Sequence, residues 1–212
     1  MLASKPVIGI VGGVGSGKTF VAKIFGEMGC LPISSDELVA SLWQREDVKQ
    51  AVRSWWGQDV FDASGQVDKA AVARKVFHDP GERRRLERLV HPLEEKLRQE
   101  AMASAAGNPD VRAYVLDVPL LAEVGLASQC DAVVFVEAPP EIRRRRAAES
   151  RGWDDAEWQR RENSQIALDK KRRIAKYIVR NTAGADEVRS QVRELLPRIL
   201  AGVSDGETPR QA

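Results

Sequence analysis

The chain has 212 residues, 33 basic against 31 acidic side chains, a formal net charge of +2 and two cysteines. That length suits one α/β domain with an insertion and leaves little room for two domains of ordinary size, while the near balance of charge provides no global field of the kind that recruits nucleic acid. No apolar run approaches the roughly 18 residues that cross a bilayer, and Cys30 and Cys130 form no C-x-x-C pair, so a reduced, cytoplasmic setting without membrane partners is expected, with both thiols in the core.

In chain order, Val7-Ile8-Gly9-Ile10-Val11 is rich in β-branched residues and predicts a buried parallel strand. It runs into Gly12-Gly13-Val14-Gly15-Ser16-Gly17-Lys18-Thr19, which fits G-x-x-x-x-G-K-[ST], and then into a helix predicted from Lys18 to about Met28, closed by Gly29. Strand, glycine turn and helix together are the context a P-loop requires, so the chain is expected to bind a nucleoside triphosphate. Leu31-Pro32-Ile33-Ser34-Ser35-Asp36 reads as a short extended segment, a second strand with Asp36 at its carboxyl end, one strand from the P-loop. From Glu37 to about Leu97 the pattern is helical, broken by a turn between Trp55-Trp56-Gly57 and Gly65.

Ala113 to Leu121 reads as another buried strand, with Asp117 ending its apolar run, and Ala132-Val133-Val134-Phe135-Val136 as a further one. Pro139-Pro140 announces a helix over Glu141–Glu149, Tyr177-Ile178-Val179 a last strand leading to Asn181, and Ala185–Leu200 a closing helix. Residues 202–212 are polar and expected to be disordered. Five short apolar strands separated by helices predict an α/β fold, a doubly wound five-stranded parallel sheet of P-loop kinase type.

The chemistry starts at the loop. Gly13, Gly15 and Gly17 allow positive φ and leave no Cβ between backbone and phosphate, so with Val14 and Ser16 they can turn N–H groups inward as an anion nest. The helix opening at Lys18 adds its positive end; the Lys18 ammonium would reach the β- and γ-phosphates, and the Thr19 hydroxyl would ligate Mg²⁺. Asp36 is placed as a general base for an acceptor hydroxyl, or as a helix N-cap. Asp117 reads either as a Walker-B-type acid, at the end of a buried strand beside the P-loop, or as part of a structural turn. Residues 143–176 carry twelve basic and six acidic side chains, so the remainder of the chain is net −4. An arginine-rich segment there fits a lid that closes over ATP, or a solvated helix pair, or a nucleic-acid surface. Arg143, Arg144, Arg160, Arg172 and Arg173 are expected to face solvent, leaving Arg146, Arg151 and Arg161 as the lid candidates. His91, before Pro92, is expected at a helix break, and His78 in a turn.

Several spaced segments resemble the dephospho-CoA kinase family. The P-loop is similar to the family's G-G-[IV]-G-S-G-K-[ST]; Val76-Phe77, Leu86-Glu87 and His91-Pro92 match its VF, LE and HP; and Asp117-Val118-Pro119-Leu120-Leu121-Ala122-Glu123 resembles D-[IV]-P-L-L-x-E. Arg146 and Arg151 match the lid's paired arginines, Arg161 and Gln165 its R-x-x-x-Q, Lys171 the lysine six positions on, and Asn181 the asparagine closing the last strand. There are departures: Ser34 stands where D-x-D has its first acid, Val11 replaces a threonine, Arg143 a common glutamine, and Lys176 the acid of an Ala-Asp pair.

The resemblance implies phosphorylation of the 3′-hydroxyl of dephospho-CoA by ATP with Mg²⁺. It implies Asp36, Lys18 and Arg146 as catalytic, and Arg146, Arg151 and Asn181 with the loop as nucleotide-binding. For the acceptor it implies Asp36, His91, Leu120 and Arg161. The expected layout is a single domain over 1–201, with a core of about 1–36, 98–142 and 177–201, a helical acceptor-binding insertion over 37–97 and a helical lid over 143–176. The expected protein takes a small-molecule substrate, binds no nucleic acid and is a monomer or weak homo-oligomer. A kinase of another small nucleoside or nucleotide acceptor, or a regulatory P-loop NTPase, are the rival readings.

Overall fold

The computed structural model describes residues 5–204; positions 205–212, most of the expected tail, lie outside the described residues. The chain separates into two compact units, one made of the described residues through Ser34 and from Ala105 onward, the other of Ser35–Ser104.

In the first unit, β1 (Val7–Gly12), α1 (Lys18–Glu27), β2 (Leu31–Ser34), β3 (Tyr114–Asp117), β4 (Ala132–Glu137) and β5 (Tyr177–Arg180) build a parallel sheet in the order β2-β3-β1-β4-β5. The period of two along β1 divides its side chains between faces. Ile8 and Ile10 pack with Val21, Ile24 and Phe25 of α1 and with Val188, Val192 and Leu196 of the long helix over Ala185–Ser204. Gly9 faces the other way, where a Cβ would stand 2.7 Å from Cys130 Sγ and from Leu121. A glycine there lets the segment after β3 close against the sheet. Both cysteines are buried thiols outside any disulfide, and burial pushes Cys30 up to about 11.

Two expectations need correction. The strand read over 113–121 stops at Asp117, and the apolar residues beyond it turn away through Pro119 into a short 3-10 turn at Leu126–Gln129. Proline cannot donate to a ladder, and leaving the sheet frees Leu121 to pack under it. Second, the strand read through Asp36 stops at Ser34, and Ser35 and Asp36 open the helix that follows. β3 lies between β2 and β1, with Ser34 in register with Asp117, so the strand beside the P-loop ends in Asp117 as expected.

The second unit holds α2 (Ser35–Leu42), α3 (Glu46–Trp56), α4 (Lys69–His78) and α5 (Pro80–Ala105) around Leu42, Val48, Val52, Val60, Val72 and Val90. The expected turn is fixed by Asp62 Oδ1, which accepts from Ser64 N at 2.9 Å and Gln66 N at 3.0 Å. Asp68 caps α4 through Ala70 N and Ala71 N, and Asp79 opens α5 through Gly81 N at 2.7 Å. The expected break at His91 is absent: α5 runs through Pro92 for 26 residues. One missing N–H is tolerated where Val90 and its partly buried neighbours Leu86, Leu89, Leu93 and Leu97 hold both halves on one core.

Candidate active site

The loop between β1 and α1 can be occupied only by glycine at its critical turns. Gly15 and Gly17 have φ of +79° and +89°, and a Cβ at either would collide with the Arg143 carbonyl or the Asn181 amide, respectively. Other side chains would be strained there and would also lose the close approach. Ser16 is fully buried; its carbonyl accepts from Asn181 Nδ2 at 2.8 Å and Arg146 Nη1 at 3.5 Å. Arg146 also donates to Asn181 O at 3.0 Å and Oδ1 at 3.2 Å. Thus the arginine and asparagine named from the sequence are joined to each other and to the loop. Desolvation and Arg145 hold the Arg146 guanidinium below its usual pKa.

Lys18 opens α1, and its ammonium donates to Gly12 O at 3.2 Å and Gly13 O at 3.1 Å. Burial, foremost, pushes it down to about 8; Lys171 and Arg151 lower it further, against the raising pull of Asp117 and Glu162. These influences mark which charges stand around the loop. Thr19 is exposed in the first turn of α1. Its hydroxyl is the hard oxygen donor that Mg²⁺ takes. Among the described residues no group of three or more His, Cys, Asp or Glu could cage an ion, so phosphate and water would supply most of its ligands. The residues therefore fit a Mg²⁺–triphosphate pair.

Residues 140–174 form α6 (Pro140–Arg151), α7 (Asp155–Asn163) and α8 (Leu168–Ile174). Arg144, Arg160, Arg172 and Arg173 are exposed as expected. Arg143 is not: it is 3% exposed, and it donates to Glu162 Oε1 at 2.6 Å, Ala138 O at 3.1 Å and Val14 O at 3.4 Å. Its solvent assignment fails because position 143 points at the loop, where a charged group needs partners and finds them. Trp158 Nε1 also donates to Val14 O, at 3.3 Å, and Val14 N donates to Glu162 Oε2 at 3.0 Å.

Lys171 is 2% exposed and binds Glu123 Oε1 at 2.8 Å and Gln165 Oε1 at 2.6 Å. Glu123 Oε1 also accepts from Ile166 N at 3.2 Å. Asp117 is buried at the end of β3. Arg151 and Arg161, both exposed, stack on Trp153 with guanidinium carbons 4.7 and 4.4 Å from the ring centroid; Arg161 also donates to Glu157 at 2.6 Å. Leu120 stands exposed in the turn after Pro119. Asp36 and His91 belong to the second unit, where both are exposed, Asp36 in the first turn of α2 and not as its cap. Reading the sequence missed Glu162 and Trp158 at the loop; the available signal was their i,i+4 spacing in α7 opposite an arginine in place of glutamine.

Comparison with known proteins bears on these segments. The family model for dephospho-CoA kinase matches residues 6–187. A dephospho-CoA kinase of Syntrophotalea carbinolica is 33% identical over 93% of this chain and 93% of its own length, and one of Agrobacterium fabrum is 35% identical over 92% and 98%. Among solved structures, TT1252 from Thermus thermophilus superposes with a TM-score of 0.78 at 29% identity, covering 92% of this chain and 97% of that one.

Proposed function

This chain belongs to the dephospho-CoA kinase family, and from that premise we propose that it transfers the γ-phosphoryl group of ATP to the 3′-hydroxyl of dephospho-CoA, giving CoA and ADP. The observation that carries the reading is the meeting of separate family segments. Glu123 of the Asp117–Glu123 stretch, Gln165 and Lys171 form one buried network, and Lys171 is near enough to Lys18 to lower its pKa. A generic phosphate loop does not require that assembly.

In the proposed reaction the 3′-oxygen attacks the γ-phosphorus, the bond from γ-phosphorus to the β,γ-bridging oxygen breaks, and ADP leaves with the bridging electron pair. The hydroxyl proton passes to the Asp36 carboxylate. Loop amides of Gly13 and of Gly15 to Thr19 hold the phosphates while Val14 N–H anchors the loop on Glu162, and Lys18 and Arg146 neutralise charge that develops on the transferred group. Arg151 and Asn181 complete the nucleotide site. Thr19 would hold Mg²⁺, which when bound draws charge from the β- and γ-phosphate oxygens. Asp36, His91, Leu120 and Arg161 serve the acceptor. In this reading residues 1–201 form one kinase domain, 37–97 its acceptor-binding insertion and 143–176 its lid. The enzyme works in the cytoplasm as a monomer or weak homo-oligomer.

Purified chain with ATP, Mg²⁺ and dephospho-CoA should form ADP and CoA in equal amounts. Equal ADP formation without acceptor would favour the regulatory NTPase. Stimulation by a nucleoside or nucleoside monophosphate, and none by dephospho-CoA, would favour the other kinase reading.

A further inference from the structure

We propose that Arg143 and Glu162 are positioning residues that clasp α6 and α7 to the phosphate loop at Val14, and that Arg143 cancels a carboxylate charge that would otherwise oppose the triphosphate. The proposal rests on the ATP-binding reading above and extends it to two residues that neither the motif nor the lid arginines include.

Both polar backbone groups of Val14 are held from outside the loop. Its N–H donates to Glu162 Oε2 at 3.0 Å, and its carbonyl accepts from Trp158 Nε1 at 3.3 Å and Arg143 Nη1 at 3.4 Å. Glu162 closes the circuit by accepting from Arg143 at 2.6 Å, and the guanidinium carbon lies 5.1 Å from the Trp158 ring centroid. Val14, Ala147 and Trp158 form a buried apolar cluster around this pair, with Trp153 packed on it. The adjoining glycines conform to the same arginine: a Cβ on Gly13 would strike its guanidinium, and one on Gly15 its carbonyl. A carboxylate thus sits on an amide of an anion-binding loop and bears on Lys18 itself, whose pKa it raises.

Left alone, that carboxylate would repel phosphate across a poorly solvated gap. Paired with a guanidinium that is 3% exposed, it presents little net charge to the loop while still fixing Val14. The pair also stays closed when nucleotide arrives, because release would strand Arg143 in the interior without its counter-ion.

The charge argument makes the two single variants unequal, which a purely structural pair would not. ATP binding is to be titrated with Arg143→Gln, Glu162→Gln and the double variant, each checked for folding by circular dichroism. Arg143→Gln, which leaves the carboxylate uncompensated, should weaken ATP binding by about tenfold or more. Glu162→Gln keeps an acceptor for Val14 N–H and removes the negative charge, so its affinity should stay within about threefold of wild type or tighten, and the double variant should likewise stay within about threefold. Equal losses in both single variants, or Arg143→Gln binding within about twofold of wild type, would overturn the proposal. Should Arg143→Gln not fold, Arg143→Met, which fills much of the same space and likewise leaves the carboxylate uncompensated, takes its place with the same two outcomes. Wild-type protein that binds no ATP would instead sink the functional reading on which the clasp rests.

Discussion

The residues assigned to the nucleotide and those assigned to the acceptor differ in how far the protein has already fixed them. Around the loop, Ser16, Asn181, Arg143 and Lys171 are each no more than 3% exposed, and each is bonded to another part of the same assembly. By contrast Asp36, His91 and Leu120 all stand exposed. Buried charged and amide side chains are tolerable when they are paired, and the bonds of Asn181, Arg143 and Lys171 hold the surroundings of the loop in place before any ligand arrives. Among the described residues no such buried network holds Asp36, His91 or Leu120, and in the proposed reading binding energy from the acceptor would supply their order.

The largest effect should come from the rigid side. Lys18→Ala removes the one ammonium inside the loop, and turnover should fall by about 10²–10³-fold together with ATP affinity, measured by steady-state kinetics and direct titration. Asp36→Asn should break the comparison the other way. Turnover falls about 10²-fold while ATP affinity stays near wild type, because that carboxylate is assigned to the acceptor and not to the phosphates. Unchanged turnover would remove Asp36 from the mechanism.

Stability should follow the same division. Lys171→Ala strands Glu123 in the interior and should cost about 3–5 kcal/mol in urea unfolding, whereas Arg144→Ala, whose partner Asp155 is 80% exposed, should fall within about 0.5 kcal/mol of wild type. Equal costs would mean that the network around Lys171 is not what rigidifies the nucleotide side.

The smallest effect is one of pH. With Lys18 near 8 in the free protein, phosphate must restore its proton before the ion pair forms, so ATP affinity should fall above about pH 8, by up to about tenfold per unit. The same shift has a consequence for the free protein. Between about pH 8 and the ordinary lysine value of 10.5 the unfolded chain binds the proton that the folded chain has lost, so this group makes stability rise with pH over that window. Calorimetry in buffers of different ionisation enthalpy should show proton uptake on ATP binding above pH 8, and Lys18→Met should abolish it.

The loop was legible in the sequence because its signals are local. A β-branched run, glycines at fixed offsets and a lysine at a helix start need no knowledge of what lies nearby. Strand order was only partly legible: Asp117 could be placed beside the P-loop and Asp36 one strand away, but nothing along the chain says which strands flank β1 on its other side. The overlong reading of β3 has a related cause: Leu120 and Leu121 continue the apolar composition of the strand, yet one is exposed in a turn and the other fills the space over Gly9. Arg143 shows the same limit for charge. Four adjacent arginines surround the α6 axis, and composition alone does not say which of them meets Glu162 and Val14. The reading therefore put Arg143 in solvent with its neighbour Arg144.

Titration of Mg²⁺–ATP into the purified chain with no acceptor present tests most directly whether the nucleotide side is complete by itself. Saturable binding at one site per chain, with an affinity that Asp36→Asn leaves unchanged and Lys18→Ala abolishes or greatly weakens, is the predicted result. Binding that appears only once dephospho-CoA is added would contradict the account.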